Sequence, residues 1–156
     1  MAHRLSPVGL DFTESAPLRL VFAQRMSAAP EAVFHTLAEE VEDVPLWFTP
    51  VRSVRSLAGG TGRAVRLRGG ARFDELVIAA TAPEVYAYRT VATNVPGLRA
   101  LLEEWRLTPS EGGTHLRWTV AADGGPAVRL ALRLGRAGLG RAFRDAVTRL
   151  DERLAA

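Results

Sequence analysis

PAVRLALRLGRAGLGRAFRDAVTRLDERL, residues 126–154, is the stretch whose reading decides the fold of this chain. Val128, Leu132, Leu139, Phe143, Val147, Leu150 and Leu154 recur at the spacing of one helical face, and Arg129, Arg133, Arg136, Arg144 and Arg153 fall opposite them. The pattern predicts one long amphipathic helix, and such a helix needs a surface to cover its apolar stripe. Gly135, Gly138 and Gly140 interrupt it, each at a helix penalty of about 1 kcal/mol relative to alanine. They predict a kink or a close approach to a neighbouring element. The functional alternative is a flexible stretch at a cavity mouth.

The covering surface is found upstream. Leu18–Met26 alternates apolar and polar residues as a strand does. Strand-like runs follow at Val51–Leu57, 64–68, 72–80, 85–92, 101–108 and 114–121, each ended by turn residues such as Gly59-Gly60, Gly69-Gly70, Pro83, Gly97, Gly112-Gly113 and Gly124-Gly125. Short runs at such spacing predict an antiparallel meander. Gly59-Gly60-Thr61-Gly62 lacks a following Lys-Ser/Thr, and the chain has no lysine, so it reads as a hairpin turn requiring positive φ rather than a phosphate loop. Between the first strand and the meander, Ser27 as capping hydroxyl, Pro30 and Glu31 predict a helix start, continued by Val33, Leu37 and Val41. Pro45 and Pro50 then confine Trp47 to a short helical turn. Residues 1–17 show no clear period and read as an arm that pairs, if anywhere, at a sheet edge.

Composition narrows the functional classes. The chain has 156 residues, enough for one domain. It has no cysteine, so neither a disulfide framework nor a thiolate metal site is available. The pI near 10.4 suggests a nucleic-acid partner. However, the formal net charge is only +3, and the high value arises because every basic residue is arginine, which does not titrate in the accessible range. No nucleic-acid partner is expected. His3, His35 and His115 lack metal-ligand spacing, so neither metal nor other cofactor is expected. No G-x-S-x-G elbow exists. The N-terminal stretch carries Asp11 and Glu14 and has no apolar h-region, and no run is long enough to span a bilayer. The expectation is a cytoplasmic protein, monomeric or homodimeric.

Several pieces in this order resemble the START-like (SRPBCC) superfamily, in particular its polyketide cyclase/dehydrase branch. They are Ser27-Ala-Ala-Pro-Glu-Ala-Val-Phe34, Pro45-Leu-Trp-Phe-Thr-Pro-Val51, Pro83-Glu-Val-Tyr-Ala-Tyr88, Glu104-Trp-Arg-Leu-Thr-Pro109 and Gly113-Thr-His-Leu-Arg-Trp118. The resemblance implies an α+β helix-grip fold over residues 18–156: a curved seven-stranded antiparallel sheet wrapped around the long C-terminal helix, with two short helices after the first strand. It also implies a cavity between sheet and helix.

Strand alternation nominates the cavity wall. Leu101, Glu103, Trp105 and Leu107 share one face, and Leu102, Glu104, Arg106 and Thr108 share the other. The first set is the more apolar and should face the helix, which brings Glu103 inward at a cost unless it is paired or near a rim. Leu116, Trp118 and Val120 should face inward too, as should Tyr86, Tyr88 and Thr90. Trp47 and Phe48 should sit over the cavity, and Leu139 and Phe143 should close it from the helix. Arg66 and Arg68 share a face that is read as outward. The expected ligand contacts are therefore Trp47, Phe48, Tyr86, Tyr88, Glu103, Trp105, Trp118, Leu139 and Phe143, with core filling as the alternative role of each.

The function expected from this is binding of a small hydrophobic or amphipathic molecule, lipid-, polyketide- or isoprenoid-like. The alternative is a metal-free polyketide aromatase/cyclase or dehydratase, with Tyr86, Tyr88 and Glu103 as its acid–base groups. A third reading is a protein-interaction module using the basic helix face. Inward polar groups should converge in an enzyme and scatter in a carrier, and an interaction module should have a filled core.

Overall fold

The computed structural model describes residues 1–156. Its elements run β1 (His3–Arg4), α1 (Phe12–Ser15), β2 (Leu18–Met26), α2 (Pro30–Ala38), a 3₁₀ turn (Val41–Leu46), β3 (Val51–Leu57), β4 (Gly62–Leu67), β5 (Arg72–Thr81), β6 (Val85–Thr93), β7 (Leu98–Ser110), β8 (Gly113–Gly124), α3 (Pro126–Leu134) and α4 (Arg136–Ala155). The sheet order is β2-β8-β7-β6-β5-β4-β3, with every pairing antiparallel. The result is the expected α+β architecture, a curved sheet gripping a terminal helix.

The inner face of β2, β7 and β8 is filled by α4. Phe143, Ala146, Val147 and Leu150 are buried there, and the Phe143 ring lies 5.9 Å from Trp118 and 6.0 Å from Phe22. The helix comes close to β2 here: a Cβ at Gly140 would stand 3.4 Å from the Phe22 ring, in ordinary contact. Gly135 has the other role foreseen for these glycines. It ends α3 and begins α4, so the single long helix expected from the periodicity is two. The apolar stripe continues across the break. Val128 and Leu132 on α3 pack against the core with Leu139 and Leu154 of α4.

Three further differences have local causes. Ser27 does not cap α2, whose N-cap is Ala29 without a side-chain hydrogen bond. Instead the Ser27 hydroxyl and backbone N–H and the Ala28 N–H all donate to the Asp151 carboxylate, at 2.8–2.9 Å, tying the start of α2 to α4. The arm meets the sheet not at an edge but where β7 diverges from β6. His3 and Arg4 pair with Thr93 and Ala92, and the Leu5 and Ser6 N–H groups donate to the Val91 and Arg99 carbonyls. Finally, Leu102 and Glu104, on the outward side of β7, are buried rather than solvated. Here α1 lies against β7 and β8, while Glu104 is met by Arg106 and Arg117. The glycine hairpin agrees with its reading: Gly59 and Gly60 have φ of 67° and 98°.

Candidate functional site

Where α4 no longer covers the sheet, a cavity of about 230 Å³ remains between β3–β8, the Val41–Leu46 turn and the α3–α4 junction. Val44, Trp47, Phe48 and Pro50 cover one side, and Leu132 and Leu139 reach in from the helices. Pro50, Leu67, Phe73, Leu132 and Leu139 are only partly buried and mark the mouth.

The deep wall has an aromatic and a polar half. In the aromatic half Trp105 and Trp118 face each other across the β7–β8 ladder, stacked at 5.2 Å, with Phe143 packed against both at 6.2 and 5.9 Å. Trp47 meets Trp105 edge-on at 6.5 Å, and Phe48 meets Trp118 at 5.6 Å.

The polar half centres on Arg63. Its Nε donates to Glu75 Oε1 at 2.9 Å, its guanidinium lies 4.1 Å from the Tyr88 ring centroid, and a long 3.5 Å contact reaches the Tyr86 hydroxyl. Tyr88 Oη donates to Glu103 Oε1 at 3.2 Å and accepts from Trp105 Nε1 at 3.1 Å. Trp118 Nε1 donates to the same Glu103 oxygen at 3.1 Å. Both bonds to Glu103 end on Oε1, so Oε2 has no protein partner. Trp47 Nε1 is also buried without one.

Electrostatics follow from one cation among two acids. Burial alone would lower the Arg63 pKa, but Glu75, Tyr88 and Tyr86 outweigh it, and the guanidinium is held charged and above its ordinary range. Burial pushes the Glu75 carboxyl up to about 8, opposed by Arg63, and pushes Glu103 upward too. Arg63 touches Glu75 directly and also draws Glu103 downward by its charge, so the two acids titrate together around one cation. Burial, then the Glu103 charge, raises the Tyr88 phenol, which stays a neutral donor. The site thus offers a carboxylic acid in an apolar room, able to donate to a carbonyl or, once ionised, to accept from a hydroxyl. A divalent cation would have to compete with Arg63 for Glu75, and His3, His35 and His115 lie outside this wall.

Of the residues read from sequence, Trp47, Phe48, Tyr86, Tyr88, Glu103, Trp105, Trp118 and Leu139 lie on this one wall. Phe143 does not; it is buried behind the tryptophans. Arg66 and Arg68 are exposed, as expected. Arg63 and Glu75 were missed. The strand expected to start at residue 64 begins at Gly62, and alternation then places Arg63, Val65 and Leu67 together on the inner face. Glu75 was detectable by the rule that exposed Glu103, because it alternates with Phe73 and Val77.

A curved antiparallel sheet closed over a hollow by a terminal helix defines the START-like class. Residues 18–155 match the family described as polyketide cyclase/dehydrase and lipid transport, and the chain belongs to it. Uncharacterized proteins of Mycobacterium tuberculosis and Mycobacterium bovis are 33% identical over 126 residues, 77% of this chain and 75% of theirs. A START superfamily protein from Mycobacterium smegmatis superposes with a TM-score of 0.67 at 13% identity, covering 88% of this chain and 97% of its own. A Rhodobacter sphaeroides protein gives 0.68 at 24%, covering 88% and 91%. No helix is long and apolar enough to cross a membrane.

Proposed function

We propose that the cavity binds a small hydrophobic or amphipathic molecule, lipid-, polyketide- or isoprenoid-like, with one polar group against Glu103. The observation that carries this reading is a wall of mostly apolar residues into which Glu103 brings a carboxylate oxygen, Oε2, that no protein group meets. At about 230 Å³, the room is below the roughly 300–1,000 Å³ of ordinary ligand pockets. That favours a compact ligand, or one whose tail leaves through the mouth. A protein-interaction module with a filled core fits this hollow poorly. Native mass spectrometry of freshly purified protein, followed by tryptophan fluorescence titration with the class that co-purifies, tests the reading. Emission should shift at or below tens of micromolar, roughly −6 kcal/mol or better. No co-purifying molecule and no shift with fatty acids, terpenoids or aromatic polyketides would refute it.

One observation favours the enzymatic alternative. Arg63, Glu75, Tyr88 and Glu103 converge on one patch, the arrangement expected of catalysis rather than carriage. A protonated Glu103 would donate to a substrate carbonyl, or protonate a departing hydroxyl and, once ionised, take up the substrate's α-proton as the C=C bond forms, releasing water and regenerating the acid, while proximity supplies much of the rate. Absorbance of β-hydroxyketone or poly-β-ketone analogues tests this: enone or aromatic bands should grow with the wild type and vanish with Glu103→Gln while binding persists.

A further inference from the structure

α3 has apolar residues on both of its sides. Val128 and Leu132 face the core, whereas Leu130 and Leu134, one turn apart, are 56% and 75% exposed, with Ala127 and Ala131 exposed beside them. No residue of α3 is fully buried. Arg129 and Arg133 flank this outer face, and Arg136, Arg141 and Arg144 follow. From Gly124 to Arg144 there is no acidic residue, and none of these five arginines has an ion-pair partner.

We propose that this outer face of α3 docks on an anionic lipid surface, the two leucines entering the interface and the arginines meeting the headgroups. Charge complementarity selects this occupant. Isolated leucines framed by unpaired cations fit an apolar layer beneath a negative one. A second copy placed across a two-fold axis would set the same arginines against each other with no acid to neutralise them. Leu46 provides an internal contrast. It is 60% exposed on the other cover of the cavity, but it neighbours Glu42 and Asp43, a setting an anionic surface repels. The proposal stands on the surface alone and does not depend on what the cavity holds.

Co-sedimentation of the full chain with phosphatidylcholine vesicles, with and without phosphatidylglycerol, is the test. The wild type should bind only the anionic vesicles, and less as salt rises. Arg133→Gln/Arg136→Gln should weaken binding about 30-fold, at the ~1 kcal/mol per arginine typical near such surfaces. Leu130→Ser/Leu134→Ser should weaken it by on the order of tenfold or more through lost apolar burial, and Leu46→Ser should leave it unchanged. Thermal unfolding of all variants should match the wild type, because the replaced side chains are exposed. Absent wild-type binding, equal binding to neutral vesicles, or full binding by the double-leucine variant overturns the proposal. So does a dimer, detected by light scattering, that the double-leucine variant dissolves, which would assign the face to a second copy.

Discussion

The two halves of the cavity wall are built from the same strands and held by different physics. The aromatic half, with Trp105, Trp118 and Phe143 clustered so that each ring touches the other two, is stabilised by buried area, which is additive and tolerant. The polar half, Arg63 with Glu75, Tyr88 and Glu103, is stabilised only while each group keeps its partner, because a charge left alone in an apolar interior is expensive. The aromatic half therefore resembles a core, and the polar half resembles a site. The two are joined through the indoles, whose N–H groups donate to Tyr88 and Glu103.

Removing Arg63 is the sharpest way to break this contrast. Arg63→Met leaves Glu75 buried without its cation and, above about pH 8 where that carboxyl is ionised in the wild type, should cost about 3–5 kcal/mol. Arg63→Met/Glu75→Leu, which removes both charges, should recover most of that loss. Denaturant melts of the single and double variants check it. Equal losses in both would mean that Arg63 matters for its packing and that the polar half is a core like the other.

Trp118→Ala should cost about 3–5 kcal/mol through lost packing against Trp105, Phe22 and Phe143. Trp118→Phe keeps most of that packing and loses only the indole donor to Glu103, so it should cost about 1–3 kcal/mol. A Phe variant as unstable as the Ala variant would mean that the hydrogen bond, not the stack, holds this wall.

The two halves were also unequally legible in the sequence. Trp105, Trp118, Tyr86 and Tyr88 followed from alternation, because large apolar residues in period two have one sensible side. Glu103 followed by the same rule, as an acid caught between Leu101 and Trp105 on their face. Arg63 did not, because its side depends on where β4 begins, and a strand boundary set by the Gly62–Leu76 pairing is a long-range fact. The helical stripe gave α4 its inner face, but the break at Gly135 was open between a kink and a close approach. Leu130 and Leu134 were readable as outward residues once the stripe was drawn.

The pH dependence of stability should single out the polar half. Glu103 and Glu75 are raised in the folded state, Glu75 to about 8. The folded protein then binds more protons than the unfolded chain between the ordinary carboxyl range, about 4.3, and the raised values. Stability should be full below that window and fall as pH rises through it, by up to about 1.4 kcal/mol per pH unit for each proton that only the folded chain still holds. Glu103→Gln removes one of the two groups and should flatten the slope, while Trp118→Phe should not remove it. A wild-type stability that rises from pH 5 to pH 8 would show both carboxyls ionised in the fold.

The smallest effect is expected at Arg133, which belongs to neither half. It is exposed in the last turn of α3 and has no ion-pair or hydrogen-bond partner. Its one stabilising role in solution is its charge near the helix C-terminus, about 0.3–1 kcal/mol at most for an exposed cation and less in salt. Alanine recovers part of that through its higher helix propensity, by tenths of a kcal/mol. Arg133→Ala should therefore unfold within about 0.5 kcal/mol of the wild type, as surface changes usually do. Measured beside Trp118→Ala, it places an exposed arginine of the helical segment against a tryptophan of the wall. A loss near that of the tryptophan would mean that α3 packs by its arginine side, and that the exposed leucines and the basic flank have been assigned to the wrong faces.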